Sequence, residues 1–163
     1  MINLIGIAGG TGSGKTYTAN KLLNKFGESK IQIISLDSYY KELKKMSFIE
    51  REQNNFDHPD AIDFDLLLQN IDELKKKGYV NIPKYDYKEH LRIKEKEPIN
   101  KKNIIIIEGI FSIYKKELRN KMKLKIFIDI DDKVRLKRRF NRDCKMRGRD
   151  KESILSQYNN TVN

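Results

Sequence analysis

Eight residues carry the plainest chemistry in this sequence. Gly9, Gly10, Thr11, Gly12, Ser13, Gly14, Lys15 and Thr16 spell GxxxxGK[ST] between an apolar run and a helical pattern. Glycines let backbone N–H groups turn inward around phosphate oxygens, and the helix that follows offers its positive end to the same anion. Lys15 is then the cation for the β and γ phosphates, and the Thr16 hydroxyl a ligand for Mg²⁺. The dinucleotide pattern GxGxxG fails, because after Gly10 and Gly12 the sixth position is Lys15. A glycine-rich turn that binds nothing is the bland alternative, and the Lys-Thr ending argues against it. A nucleoside triphosphate is the expected ligand, with water, a switch partner or a small metabolite as the receiver of its phosphate.

Carboxylates come next. Ligands of an open parallel sheet lie beyond the carboxyl ends of its strands, and Asp37, Glu108 and the Asp129–Asp132 group follow apolar runs there. Glu108 is expected beside the phosphate loop, where a metal-ordering carboxylate is needed, and Asp37 one strand over, where it can take the proton of an acceptor hydroxyl. Asp131 or Asp132 reads as the cap of the next helix. That helix, from Lys133 to Arg149, holds nine basic residues and one acid, Asp143, a net charge of +8. It fits a solvated face with i,i+4 pairs such as Arg139–Asp143, a nucleic-acid stripe, or a lid whose arginines, such as Arg139 and Arg142, close over a triphosphate. The phosphate loop favours the lid.

These residues need a scaffold, and the apolar runs supply it. Ile2–Ala8, Ile31–Ser35, Ile104–Ile107 and Leu124–Ile130 are continuous rather than alternating, as in strands buried on both faces, and helical patterns such as Thr16–Phe26 separate them. This is an α/β architecture with crossover connections. From Asp60 to Lys77 apolar residues recur at helical spacing, with Asp60 as the expected cap and Gly78 past the end. Tyr79–Ile99 reads as a β-hairpin, held to a sheet edge by Pro83. The 163 residues carry a net charge of +11, with 38% hydrophobic and 35% charged residues, one cysteine and no tryptophan. Such a chain buries about 70% of its unfolded surface, enough for one core without staples. No apolar stretch approaches the roughly 20 residues of a membrane helix, and the opening shows no charged leader. A membrane protein, a secreted disulfide scaffold and a mostly disordered chain are excluded; one cytoplasmic domain, 1–163, is expected.

The stretches GGTGSGKT from Gly9, LDSYY from Leu36, NFDHPDAIDFDLL from Asn55, PKYDYKEHLR from Pro83, EGIF from Glu108 and RRFNRDCKMRGRD from Arg138 resemble the uridine kinases (uridine-cytidine kinases) of the phosphoribulokinase and uridine kinase group, in that family's order. The resemblance implies a P-loop NTPase-type parallel sheet flanked by helices, with a nucleoside-binding hairpin at 79–99 and a lid at 133–150. It implies transfer of the γ-phosphoryl group of ATP or GTP to the 5′-hydroxyl of uridine or cytidine, with Mg²⁺. By the same resemblance Asp37, Lys15 and Arg142 are catalytic, and Thr16, Asp37 and Glu108 hold the metal. The loop Gly9–Thr16, Tyr17 and the lid arginines Arg142, Arg147 and Arg149 hold the donor. Asp57 and Arg139 hold the ribose; Tyr85, Tyr87 and His90 take the pyrimidine; Tyr40, Phe56, Ile110 and Gln157 complete the acceptor pocket. It also implies a tetramer, with neither membrane nor nucleic acid as partner. The family pattern runs on into a proline-containing segment and a final strand and helix, whereas this sequence stops at Asn163, so a sheet without that strand is expected. A kinase of another small hydroxyl metabolite and an inactive nucleotide- or nucleic-acid-binding module are the competing readings.

Overall fold

The computed structural model describes residues 2–146, with side chains to residue 144. Four strands, β1 (Asn3–Gly9), β2 (Ile31–Ser35), β5 (Ile104–Glu108) and β6 (Met122–Ile128), form a parallel sheet in the order β2-β5-β1-β6. The isoleucine run of β5 lies between β1 and β2, with Ile106 facing β1 Ile5 on one side and β2 Ile33 on the other. Because strand side chains alternate between faces, Ile105 and Ile107 join one buried cluster and Ile106 the other. That is why the run is continuous. Helix α1 (Lys15–Phe26) covers the Ile106 face through Ala19, while α3 (Phe64–Lys77) covers the opposite one through Leu67, Ile71 and Leu74.

The helix expected from Asp60 starts later. Asp63 is its cap, its Oδ1 accepting from Leu66 N at 3.1 Å. Asp60 instead lies in a 3-10 turn, Pro59–Ala61, because Ile62 is extended and bridges to Tyr40, which breaks helical continuity. Gly78 ends α3 in the left-handed conformation (φ 86°), its N–H donating to Leu74 O.

The hairpin consists of β3 (Tyr79–Asp86) and β4 (Leu91–Asn100) and forms a separate antiparallel pair. Its base is not free-standing, since Val80, Ile82 and Ile99 are buried in the core beside α3. The register shifts between Pro83 and Tyr85, where proline has no N–H for the ladder. Beyond that irregularity the distal half carries Tyr85 and the tip residues. The last strand ends at Ile128, two residues before the expected limit, and Asp131 then caps α5 (Asp132–Met146) by accepting from Lys133 N at 2.9 Å.

Candidate active site

The glycine loop joins β1 to α1. Gly14 is left-handed (φ 103°) at the cap of α1, and Gly12 has φ 75°. A methyl group on Gly12 would strike the backbone carbonyl of Arg135, and one on Gly10 its guanidinium. These glycines therefore serve the approach of α5 as well as the turn. The Ser13 hydroxyl is buried without a hydrogen-bond partner among the described residues, and the Ser13 N–H closes the turn by donating to Gly10 O at 3.1 Å.

At the foot of the loop Lys15 Nζ donates to Gly10 O at 2.9 Å, and Thr16 Oγ1 lies 3.2 Å from Glu108 Oε2. The pairing of Glu108 with Ile7 on one side and Ser35 on the other puts its carboxylate at the carboxyl edge of the sheet, between β1 and β2. Asp37 stands in the 3-10 turn Leu36–Tyr39 directly after β2. Burial holds the Lys15 ammonium below its usual pKa, against the pull of Asp37 and Glu108. Burial and then the Asp37 charge push Glu108 above the usual carboxylate range, against bonds from Ser35 and Thr16 and the charge of Lys15. The three charges thus share one small volume. The turn bearing Asp37 is anchored from behind: Asn70 Nδ2 donates to the Tyr39 hydroxyl at 3.1 Å, and Arg92 Nη2 donates to Tyr39 O and to Asp63 Oδ2.

Next to these charges lies an aromatic wall. Tyr40 meets Phe56 edge-on at 4.9 Å and Tyr85 at 5.1 Å, Tyr85 meets Tyr87 at 5.6 Å, and the His90 ring stacks on Phe56 at 5.2 Å with 17° between planes. The Tyr85 hydroxyl is buried with no hydrogen-bond partner among the described residues, and burial raises its pKa well above the usual tyrosine value. From α5, Arg139 Nη1 reaches Asp57 Oδ2 at 3.0 Å.

One open cavity joins the two halves. Thr11, Lys15, Thr16, Asp37 and Glu108 line one end of it, with Arg142 from α5; Tyr40, Phe56, Asp57, Tyr85, Tyr87, His90, Ile110 and Arg139 line the rest. Tyr17 is not among them: it is 67% exposed on α1, with Lys21 Nζ 5.5 Å from its ring. Arg147, Arg149 and Gln157 lie outside the described residues.

One charged group was missed as part of the site. Asp143, expected only as an i,i+4 partner on a solvated face, is 1% exposed. It accepts from Arg142 Nε at 2.8 Å and pairs with Arg139 Nε at 3.4 Å, so one carboxylate holds both arginines. Although burial works against the Arg142 charge, the Asp143 carboxylate together with Asp37 and Tyr40 keeps the guanidinium above its ordinary pKa. The Arg139–Asp143 spacing was legible; nothing in it tells which face of the helix turns inward.

The sequence pattern of the Phosphoribulokinase / Uridine kinase family matches residues 4–163. This chain belongs to that family. Among relatives of the phosphoribulokinase/uridine kinase family, a uridine kinase of Clostridium novyi (strain NT) is 48% identical over 155 residues, covering 95% of this chain and 74% of that protein. A uridine-cytidine kinase A of Dictyostelium discoideum is 45% identical over 159 residues, 98% of this chain and 32% of that longer protein. In three dimensions, D-glycerate 3-kinase from Cryptococcus neoformans var. grubii superposes with a TM-score of 0.67 at 17% identity, over 96% of this chain and 76% of that one. This last likeness concerns the fold alone. No helix among the described residues is long and apolar enough to cross a membrane.

Proposed function

We propose that this family member is a cytoplasmic phosphotransferase that moves the γ-phosphoryl group of ATP, or GTP, to the 5′-hydroxyl of uridine or cytidine, giving UMP or CMP. The observation that carries the reading is the continuity of the cavity, from the glycine loop through Asp37 to the aromatic wall. Uridine kinase relatives at 42–48% identity over nearly the whole chain support the same acceptor.

In this reading the N–H groups of Gly10–Thr16 and Lys15 hold the triphosphate, and Asp57 with Arg139 holds the ribose hydroxyls. Tyr85, Tyr87 and His90 enclose the pyrimidine, for which the orphaned Tyr85 hydroxyl is a ready hydrogen-bonding group. Asp37 orients the 5′-hydroxyl and accepts its proton as the new O–P bond forms and the bond from the γ-phosphorus to the β,γ-bridging oxygen breaks. Lys15 and Arg142 stabilise the charge on the moving group. No covalent intermediate is needed, because positioning and charge carry the rate. Thr16, Asp37 and Glu108 offer hard oxygen ligands of the kind Mg²⁺ takes, and the mutual repulsion of Asp37 and Glu108 is what a cation would relieve. Bound there, Mg²⁺ would neutralise phosphate charge. Arg139 and Arg142 facing this cavity weigh against a nucleic-acid stripe on α5.

The test is ADP release by the purified chain with Mg-ATP and a panel of nucleosides and sugar phosphates. Stimulation by uridine and cytidine is expected. Stimulation by a different metabolite alone would leave a kinase with another acceptor; no stimulation by any would remove the enzymatic reading.

A further inference from the structure

The side chain of Arg51 has no part in the cavity, yet it is 11% exposed and hydrogen-bonded through Nε and Nη1. It projects from α2 (Phe48–Glu52), a single turn fixed at its start by a capping box between Ser47 and Glu50. Arg51 Nε donates to the backbone carbonyl of Glu89 at 2.9 Å, Nη1 donates to Met46 O at 2.8 Å, and Nη2 lies 3.9 Å from the Glu89 carboxylate. The guanidinium therefore ties the 46–51 segment to the tip of the β3–β4 hairpin, across 38 residues of sequence.

The tip needs such a tie. His90, the residue after Glu89, is the one non-glycine residue with positive φ (53°) among those described, a conformation that L side chains resist because the β-carbon crowds the carbonyl. Asp86 holds the inner side of the tip, its Oδ1 accepting from Lys88 N at 2.8 Å and Glu89 N at 3.2 Å. Arg51 holds the outer side through the carbonyl of the Glu89–His90 peptide bond itself. With both in place, the His90 ring is set parallel to Phe56 and faces the cavity.

We propose that Arg51 is a positioning residue for nucleobase recognition, acting through His90 by clamping the peptide bond that precedes it. This deepens the acceptor assignment and rests on it. Two charge-assisted hydrogen bonds and a constrained backbone are lost together in Arg51→Ala, so the KM for uridine is expected to rise about tenfold. The KM for ATP should stay the same and kcat should stay within about twofold, because a group that acts only on nucleoside binding moves KM alone. Arg51→Lys keeps the charge and one carbonyl contact, and its KM falls between the two; it is the decisive variant if the alanine protein does not fold.

A merely structural role would instead depress kcat and raise the KM for ATP along with that for uridine. The double variant separates the two. His90→Ala raises the uridine KM, and Arg51→Ala added to it raises KM no further. Multiplying effects in the double variant, or an unchanged uridine KM in both Arg51 variants, would overturn the proposal while leaving the pocket intact. An unchanged uridine KM in His90→Ala would remove the pocket assignment itself, and the proposal with it.

Discussion

Helix α5 docks by charge. Among its described side chains only Arg139 and Asp143 are buried, at 4% and 1% exposure, while Leu136 and Phe140 are half-buried and Val134 is exposed. The chain Asp57–Arg139–Asp143–Arg142, with contacts of 3.0, 3.4 and 2.8 Å, does what an apolar stripe does elsewhere. Asp143→Asn removes the central charge and keeps the shape. Breaking a buried ion pair costs about 3–5 kcal/mol. That figure needs a discount here, because Arg139 keeps Asp57 and the Arg142 side chain is 36% exposed and can turn to water. About 2 kcal/mol remains, which is roughly a 30-fold shift toward the undocked helix. Amide hydrogen exchange reads this directly: α5 amides should exchange about 30-fold faster in the variant, with those of β1 and β5 unchanged. Phosphoryl transfer should fall in parallel, since both arginines lose their common anchor. Unchanged protection in α5, or a loss spread evenly over the sheet, would refute the idea that this carboxylate docks the helix.

Glu108→Gln separates stability from function. Burial and Asp37 raise the Glu108 pKa above its ordinary 4.5, so the fold favours the protonated form; that contribution is complete below about pH 4.5 and lost as pH rises through the raised value. In the absence of nucleotide the glutamine variant should therefore melt at a higher temperature than the parent at pH 7.5, with the gap closing as pH falls toward 4, while its Mg²⁺-dependent activity drops. Asp37→Asn should lower kcat by about 10²–10⁴-fold with little change in the uridine KM, as expected for loss of a general base, in steady-state kinetics. Tyr85→Phe removes a buried hydroxyl that has no partner among the described residues, so its melting temperature should hold or rise while the uridine KM increases; a lower melting temperature would mean that the hydroxyl is satisfied within the protein.

Much of this molecule could be read from local pattern. The glycine loop was legible because its requirements, positive φ and backbone facing an anion, are local properties of Gly12, Gly14 and the Lys-Thr pair. The central strands were legible because a sheet covered on both faces leaves an apolar run, as in Ile104–Ile107, whereas β6, expected from Leu124 to be buried on both faces, lies at the sheet edge with Leu124 and Phe127 49% and 62% exposed. Helix α3 was legible except for its start, where the extended Ile62 and its bridge to Tyr40 moved the cap from Asp60 to Asp63. Such bridges form between distant segments and leave no periodic trace.

The sequence by itself determined which groups were available: a phosphate loop, carboxylates at strand ends, aromatics on a hairpin and a basic helix. Only the tertiary structure decided which of them meet. The strand order β2-β5-β1-β6 puts Glu108 beside a loop about a hundred residues away, and Asp57 pairs with Arg139 across 82. Side-chain spacing reports which residues share a face of one element, but burial depends on what the other elements press against that face. That is why Asp143 looked like a surface charge and is in fact the buried link between two arginines of the site.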